Sequence, residues 1–297
     1  MADATPPQAG WAFRPVPPTP RSITELIRSG ALDAELAAML WLLVEGRVPV
    51  IVAAQEPGAG KTTLLTALLD FLPSDTRVHE LAGATETFDW LPQATELGWR
   101  RGVEAEPARS DGPTARSDDT VLLVQEFSDH LPAYTWGEEA RIAIRAASVG
   151  YGLAATIHAE RLEDVFEVLR RPPVRADDDE LSRLGVVLIL RRLGAGRRRV
   201  VATHYVRPTA RDEHGHVQRL GPSVLATWDA DHDRFEHFGW GVMPELALRV
   251  GRKAGDFESE VERRREALDA LVNAGVVDVE SVRAALHAYH TGSTIAT

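Results

Sequence analysis

The chain has no cysteine among its 297 residues. That excludes disulfides, thiolate metal centres and cysteine nucleophiles, and it fits a cytosolic chain. A long apolar run is missing too. The longest, about Leu36 to Val44, is too short to cross a bilayer and is bracketed by Asp33, Glu35 and Glu45. The first residues, Met-Ala-Asp-Ala, lack the basic-then-apolar order of a secretion signal. These absences predict a cytoplasmic protein, peripheral to the inner face of a membrane only through partners. Net positive charge is also lacking. At −11 the chain is not built to hold nucleic acid by general attraction. Its densest basic cluster, Arg197-Arg198-Arg199, reads as the solvated turn between two strands. What remains is an apolar content of 44%, enough for a sizeable core, in a length that suits one large or two small domains.

The most informative stretch is Pro57-Gly58-Ala59-Gly60-Lys61-Thr62-Thr63. An apolar run from Val48 to Ala54 enters it, and Leu64-Leu65-Thr66-Ala67-Leu68-Leu69 leaves it. Strand, glycine turn and helix are the setting of a phosphate-binding loop. Glycines let backbone N–H groups face an anion, and the helix turns its positive end to the same anion. Gly58, Ala59, Gly60, Lys61, Thr62 and Thr63 are the expected nucleotide-binding residues. Lys61 would reach the β- and γ-phosphates of ATP, and the Thr62 hydroxyl would ligate Mg²⁺. One position departs from the pattern: Gln55 stands where it asks for glycine.

Around this loop the chain alternates strands with helices, which predicts an α/β fold with a mainly parallel sheet. Residues 1–20 are proline-rich and read as a disordered arm. Ser22 and Glu25 have capping-box spacing, so a short helix begins there. A second helix, about Asp33 to Glu45, is apolar all round and is expected to be buried on several sides. The helix after the loop should end near Leu72, before Pro73. Strands are expected at Thr76–Leu81, Val121–Val124, Leu153–Ile157, Gly185–Leu190 and Val200–Val206, with helices at Trp136–Val149 and Leu162–Arg170. Residues 84–119 form an irregular insertion anchored by Trp90 and Trp99. From 208 on, a hairpin (Val224–Trp228 and Arg234–Phe238) and three helices make a C-terminal extension to the 21–207 core. The acidic turn Asp229-Ala230-Asp231-His232-Asp233 lacks the glycine and terminal glutamate of a Ca²⁺ loop.

Nucleotide hydrolysis needs a carboxylate at a neighbouring strand end. Glu126, closing Val121-Leu122-Leu123-Val124-Gln125, is placed to activate water or to hold Mg²⁺ through it. The alternative is an ordinary exposed glutamate. Ala154-Ala155-Thr156-Ile157 delivers His158 to the sheet edge where ligands bind, in reach of a γ-phosphate. The alternative there is a histidine hydrogen-bonded in a loop.

Four stretches together resemble the motor ATPases of type II and type IV secretion, type IV pili and archaeal flagella. They are Ser29 through Glu45, Glu56 to Thr63, Gln125-Glu126, and Gly150-Tyr151-Gly152 with Ala155-Thr156-Ile157-His158-Ala159. The resemblance covers about residues 22–207. It implies a RecA-like core, ATP and Mg²⁺, a hexameric ring and a membrane-embedded secretion or pilus assembly as partner. Glu126 would be the catalytic carboxylate and His158 the γ-phosphate contact. For the family's acidic pair closing the second strand, Glu80 is the nearest candidate and Glu86 a second. Four positions depart: Gln55, Gln125 for glycine, Ser128 for arginine, and Tyr151 for histidine. The first 20 residues cannot form the domain such motors place before the core. The expected function is that of an ATP-hydrolysing motor. The competing functions are a non-hydrolysing regulatory or scaffold subunit and, last, a small-molecule phosphotransferase. With Ser128 supplying no arginine, Arg100, Arg101, Arg116, Arg141 and Arg145 are the candidates for an arginine acting across a subunit interface.

Overall fold

The strand Val50–Ala53 is buried along its whole length, and its side chains alternate between two cores. Val50 and Val52 face one; Ile51 and Ala53 face the other. A strand apolar on both faces belongs in the middle of a layered α/β sheet, which is where it lies. The computed structural model describes residues 19–100, 115–211, 214 and 216–292. Most of the proline-rich arm, Arg101 and the middle of the 84–119 insertion lie outside them.

In chain order the elements are α1 (Ile23–Arg28), α2 (Ala34–Glu45), β1 (Val50–Ala53), α3 (Lys61–Leu69), β2 (Arg77–Glu80), β3 (Thr120–Phe127), α4 (Gly137–Ala146), β4 (Gly152–Ile157), α5 (Leu162–Arg170), α6 (Asp178–Leu181), β5 (Val186–Arg192), β6 (Arg198–Tyr205), β7 (Ala210–Arg211), β8 (Val217–Gln218), β9 (Ser223–Asp229), β10 (Arg234–His237), α7 (Met243–Arg249), α8 (Ala254–Asn273) and α9 (Val279–His290). Eight strands form one sheet in the order β10-β9-β6-β5-β1-β4-β3-β2. From β2 to β5 all neighbours are parallel; β6, β9 and β10 extend the sheet antiparallel. This is a mixed α/β architecture compatible with a P-loop NTPase-like core. β7 and β8 make a separate short ribbon.

One face of the sheet packs against α2 and α3, and the other against α4 and α5. Ser22 caps α1, its Oγ accepting from Glu25 N–H at 3.1 Å, as the spacing predicts. Every side chain of α2 from Leu36 to Val44 is buried. The reason is tertiary: α8 and α3 cover the faces that the sheet leaves free. Trp41 stacks on Phe71 at 5.1 Å, and the Arg264 guanidinium lies 4.7 Å over the same ring. Arg264 Nη2 reaches Glu45 at 2.6 Å, tying α8 to α2. α3 stops at Leu69, earlier than its apolar run suggests, and continues as a turn through Phe71 and Leu72. α4 likewise ends at Ala146, followed by a 3₁₀ turn to Val149.

The C-terminal hairpin is present, and β9 pairs with β6 inside the main sheet. Its acidic turn has protein partners. Asp233 accepts from Arg199 Nε at 3.1 Å and Trp228 Nε1 at 2.9 Å; Asp229 pairs with His232 at 2.6 Å. α8 ends before Gly275 (φ +74), and Asp278 caps α9.

Candidate active site

Three parallel strands end side by side, and the sheet order decides who meets. β4 lies between β1 and β3. The loop after β1 carries Lys61 on α3, β3 carries Glu126, and the residue after β4 is His158. The central strand therefore inserts the histidine between lysine and glutamate. Lys61 Nζ is 3.3 Å from Glu126 Oε2 and 3.3 Å from the ring nitrogens of His158. His158 Nε2 is 2.9 Å from Glu126 Oε1, and its Nδ1 faces the Gln55 carbonyl at 3.3 Å. Lys61 and Glu126 side chains are 8% and 10% exposed, so each charge depends on the other. Burial pushes the Lys61 pKa below its ordinary value, while the neighbouring Glu126 pulls the other way.

Glu126 is aimed by an irregularity. The β3–β4 register shifts between Val124 and Phe127. Such a bulge inserts a residue and turns side chains off the strict alternation. Thr156 Oγ1 donates to the Gln125 carbonyl within it. Gln125, the residue in place of glycine, sends its side-chain amide to the Glu80 carboxylate. Glu80 is exposed at the end of β2, the edge strand beyond β3, and is bonded to Gln125 rather than to Lys61 or His158.

The phosphate loop needs its glycines. Gly58 sits at φ +71 and Gly60 at φ +103, conformations that side chains disfavour. Ala59 is buried, while Gly58 and Thr62 are exposed on the loop and the first turn of α3. Thr63 is half-buried on the next position. Lys61 and Lys253 are the chain's only lysines, against 33 lysines and arginines in total. Among the described residues no three His, Asp or Glu side chains gather as a metal cage. The oxygen donors at hand, the Thr62 hydroxyl and the Glu126 carboxylate, fit Mg²⁺, which takes few protein ligands and completes its shell with phosphates and water.

The structure reassigns several residues singled out by their sequence positions. Glu86, the second candidate for the acidic pair, is a buried fastener. Its carboxylate accepts from the N–H groups of Ala82, Thr87 and Phe88 and from Trp90 Nε1, at 2.8–3.0 Å. Tyr151 is buried with its hydroxyl donating to the Ala115 carbonyl at 2.9 Å, so it anchors the 84–119 segment. Ser128 bonds His130. Arg141 and Arg145, two arginines proposed from helical spacing, share the buried carboxylate of Glu180, and Arg145 also donates to the Leu97 carbonyl. Arg116 is exposed and paired with Asp118; Arg100 is exposed; Arg101 is not among the described residues.

The arginine cluster is the larger correction. Arg197 ends the turn between β5 and β6, but Arg198 and Arg199 open β6 itself and pair with Arg192 and Arg191 of β5, so the cluster is not a solvated turn. Arg199 is 6% exposed and clamps Asp233 and the Ser29 carbonyl. Arg198 Nη2 donates to the Gly58 carbonyl at 3.3 Å, inside the phosphate loop. Two further residues reach the site unannounced. The His130 ring lies 6.3 Å from that of His158. The Tyr134 hydroxyl is pushed to higher pKa by burial and by the Glu126 charge. Both sit in the loop after β3, which Thr135 N–H ties to the Glu126 carbonyl at 3.0 Å. Their only sequence signal was nearness to Glu126.

No protein-family model matches the chain. Among curated proteins it is similar to the uncharacterized protein MJ0900 of Methanocaldococcus jannaschii, 25% identical over 97% of this chain. It spans about half of that relative, 52%. A second, uncharacterized protein MJ1287 of the same organism, is 28% identical over 84% of this chain and 90% of its own. Solved structures that resemble it include the VirB11 ATPase from the Brucella suis type IV secretion system in complex with sulphate. That match has 25% identity and a TM-score of 0.37, covering 61% of this chain and 55% of that one. The Legionella pneumophila ATPase DotB follows at 12% identity and a TM-score of 0.34, with 93% and 63% covered.

Proposed function

We propose that the chain is a P-loop ATPase with a RecA-like core, the ATP-hydrolysing motor subunit of a secretion- or pilus-type membrane assembly. The observation that carries the catalytic part is the meeting of Lys61, Glu126 and His158 beside the first turn of α3, at the carboxyl ends of β1, β3 and β4. The motor part, with its hexameric ring and membrane partners, rests on the resemblance seen in the sequence.

The loop N–H groups and the positive end of α3 hold the phosphate chain. Lys61 is placed to exchange its Glu126 partner for β- and γ-phosphate oxygens. That exchange leaves the Glu126 carboxylate to orient the attacking water and accept its proton. His158, within bonding distance of both, holds the carboxylate's other oxygen and senses the terminal phosphate. Bound Mg²⁺, held by Thr62 and through water by Glu126, would offset the charge of the β- and γ-phosphates.

Gln55, Gln125 and Ser128 favour a second reading, a nucleotide-binding regulatory or scaffold subunit that hydrolyses weakly or not at all. Gln125 closes β3 on Glu80 where the motor pattern has glycine. Steady-state ATP turnover separates the two. The motor reading expects turnover by the parent protein. It expects Glu126→Gln to bind ATP normally and lose at least about 10²-fold in rate. It expects Lys61→Ala to lose binding, and Lys61→Ala binding like the parent would refute the phosphate loop. A parent that binds ATP without turnover leaves the regulatory reading. Solution mass with saturating ATP tests the ring.

A further inference from the structure

Val124 of β3 stands opposite Ala155 of β4, and Phe127 stands opposite Ile157. Two residues of β3, Gln125 and Glu126, are therefore matched by Thr156 alone. A bulge of this kind takes its residues out of the regular ladder, so their carbonyls need other donors. Both find one. The Glu126 carbonyl accepts from Thr135 N–H at 3.0 Å. The Gln125 carbonyl accepts from the hydroxyl of Thr156, a residue fully closed to solvent. Thr156 also stands opposite Val52 of β1, so it is fixed in the middle of the sheet. Two residues later the chain reaches His158, whose Nε2 lies 2.9 Å from Glu126 Oε1. The β4 segment thus holds Glu126 twice, through the carbonyl before it and through its own carboxylate.

A second strap comes from the other flank. The Gln125 side-chain amide donates to Glu80 at the end of β2, a bond that glycine at 125 could not make. This bond lies at the solvent edge, whereas Thr156 is closed from water, and a hydrogen bond in the interior is the stronger of the two. We propose that Thr156 is a positioning residue for ATP hydrolysis: its hydroxyl fixes the bulge that aims Glu126 at the attacking water, and the Gln125–Glu80 bond braces the same bulge from outside. The proposal rests on the reading of Glu126 as the catalytic carboxylate and adds to it what holds that carboxylate in place. In this role neither Thr156 nor Glu80 touches the nucleotide. A reacting group misplaced by about 1 Å loses about 10² in rate. The straps therefore act on turnover and leave binding alone.

Steady-state turnover, direct ATP binding and NMR of labelled lysine side chains test it together. Thr156→Val keeps the branched shape and removes the hydroxyl. It should bind ATP as the parent does, which also shows that it is folded, and lose roughly 10- to 100-fold in kcat. Thr156→Ser keeps the hydroxyl and should recover most of that loss. Lys61 pairs with Glu126, and the chain's other lysine is Lys253. In Thr156→Val the Lys61 resonance should therefore move toward its position in Glu126→Gln, while that of Lys253 stays. Should valine prevent folding, Thr156→Ala carries the same expectations. Glu80→Ala and Gln125→Ala break the outer strap from its two sides. Each should lower kcat by a smaller factor, and the double variant no further than either alone. Parental kcat or an unmoved Lys61 resonance in Thr156→Val overturns the proposal. So does a Thr156→Ser as slow as Thr156→Val, which would leave the side chain a packing role only. Losses that add in the Glu80 and Gln125 pair overturn the outer brace. If Lys61→Ala still binds ATP, or the parent does not turn it over, the function proposed above fails instead, and the Lys61 resonance still decides whether Thr156 aims Glu126.

Discussion

The ammonium of Lys61 stands 3.3 Å from Oε2 of Glu126 in a site where both side chains are nearly closed to solvent. The two residues come from opposite sides of β4, so the ion pair reaches across the end of that strand. It gives the lysine a charge partner that phosphate oxygens can replace. It also sets the terms on which that lysine keeps its proton.

Burial lowers the Lys61 pKa and Glu126 opposes the drop. Removing the glutamate charge leaves the burial unopposed. In Glu126→Gln, Lys61 should titrate at a lower pH than in the parent, and in both below the ordinary lysine value. With only two lysines in the chain, NMR of labelled lysine side chains resolves the titrations separately. Nucleotide affinity should fall as pH rises through the lowered value, since neutral Lys61 no longer attracts phosphate. A Lys61 titration at or above the ordinary lysine value would contradict the buried pair.

Glu86 organises a loop. It is 7% exposed and accepts from three backbone N–H groups and the Trp90 indole. Glu86→Ala strands several of those donors and should cost about 2–4 kcal/mol in chemical denaturation. ATP affinity of the folded fraction should be unchanged. A variant of parental stability that has lost turnover would return Glu86 to the catalytic group.

Arg145 tests the loss of a candidate. Its guanidinium is bound to Glu180 and to the Leu97 carbonyl, which fastens α4 to α6 and to the 84–119 segment. Arg145→Ala should lower stability by about 1–3 kcal/mol and leave turnover per folded molecule intact. Turnover lost at full stability, and restored by mixing with Glu126→Gln protein, would show instead that Arg145 works across an interface.

His237 makes part of the stability depend on pH. Its Nε2 lies 2.8 Å from Asp33 Oδ2, and its Nδ1 3.7 Å from Glu35 Oε1. Burial opposes the charged ring, but the Asp33 hydrogen bond and the two carboxylate charges outweigh it and raise the pKa. A raised folded-state pKa gives a stabilisation fully present below about pH 6.5 and lost as pH rises through the raised value. Asp33 is 37% exposed, so the effect is discounted to about 0.5–1 kcal/mol. The melting-temperature gap between the parent and His237→Gln should be widest near pH 5.5 and close by pH 8.5. A gap that widens with pH would reverse the sign.

The sequence alone determined what is local. Strand, glycine turn and helix around Lys61 lie within one continuous stretch, and backbone sterics force that order whatever surrounds it. The apolar runs that became β1, β3, β4 and β5 were legible for the same reason: a strand buried on both faces must be apolar on both. Ser22, Gly275 and Asp278 announced helix ends through caps reaching only a few residues. Tertiary structure decided the rest, because side-chain partners come from strand order, and strand order is not written in any one segment. Only the placing of β4 between β1 and β3 makes His158 the neighbour of both Lys61 and Glu126. A shift of register, invisible in Val124-Gln125-Glu126, aims the carboxylate. Glu86, Arg141 and Arg145 have the residue types of catalysis, yet burial against waiting donors and acceptors made them fasteners. Arg198 looked like one of three solvated charges, and the antiparallel β5–β6 pair carries it onto the Gly58 carbonyl. A charge's role depends on the dielectric and the partners around it, and both arrive only when distant parts of the chain close together.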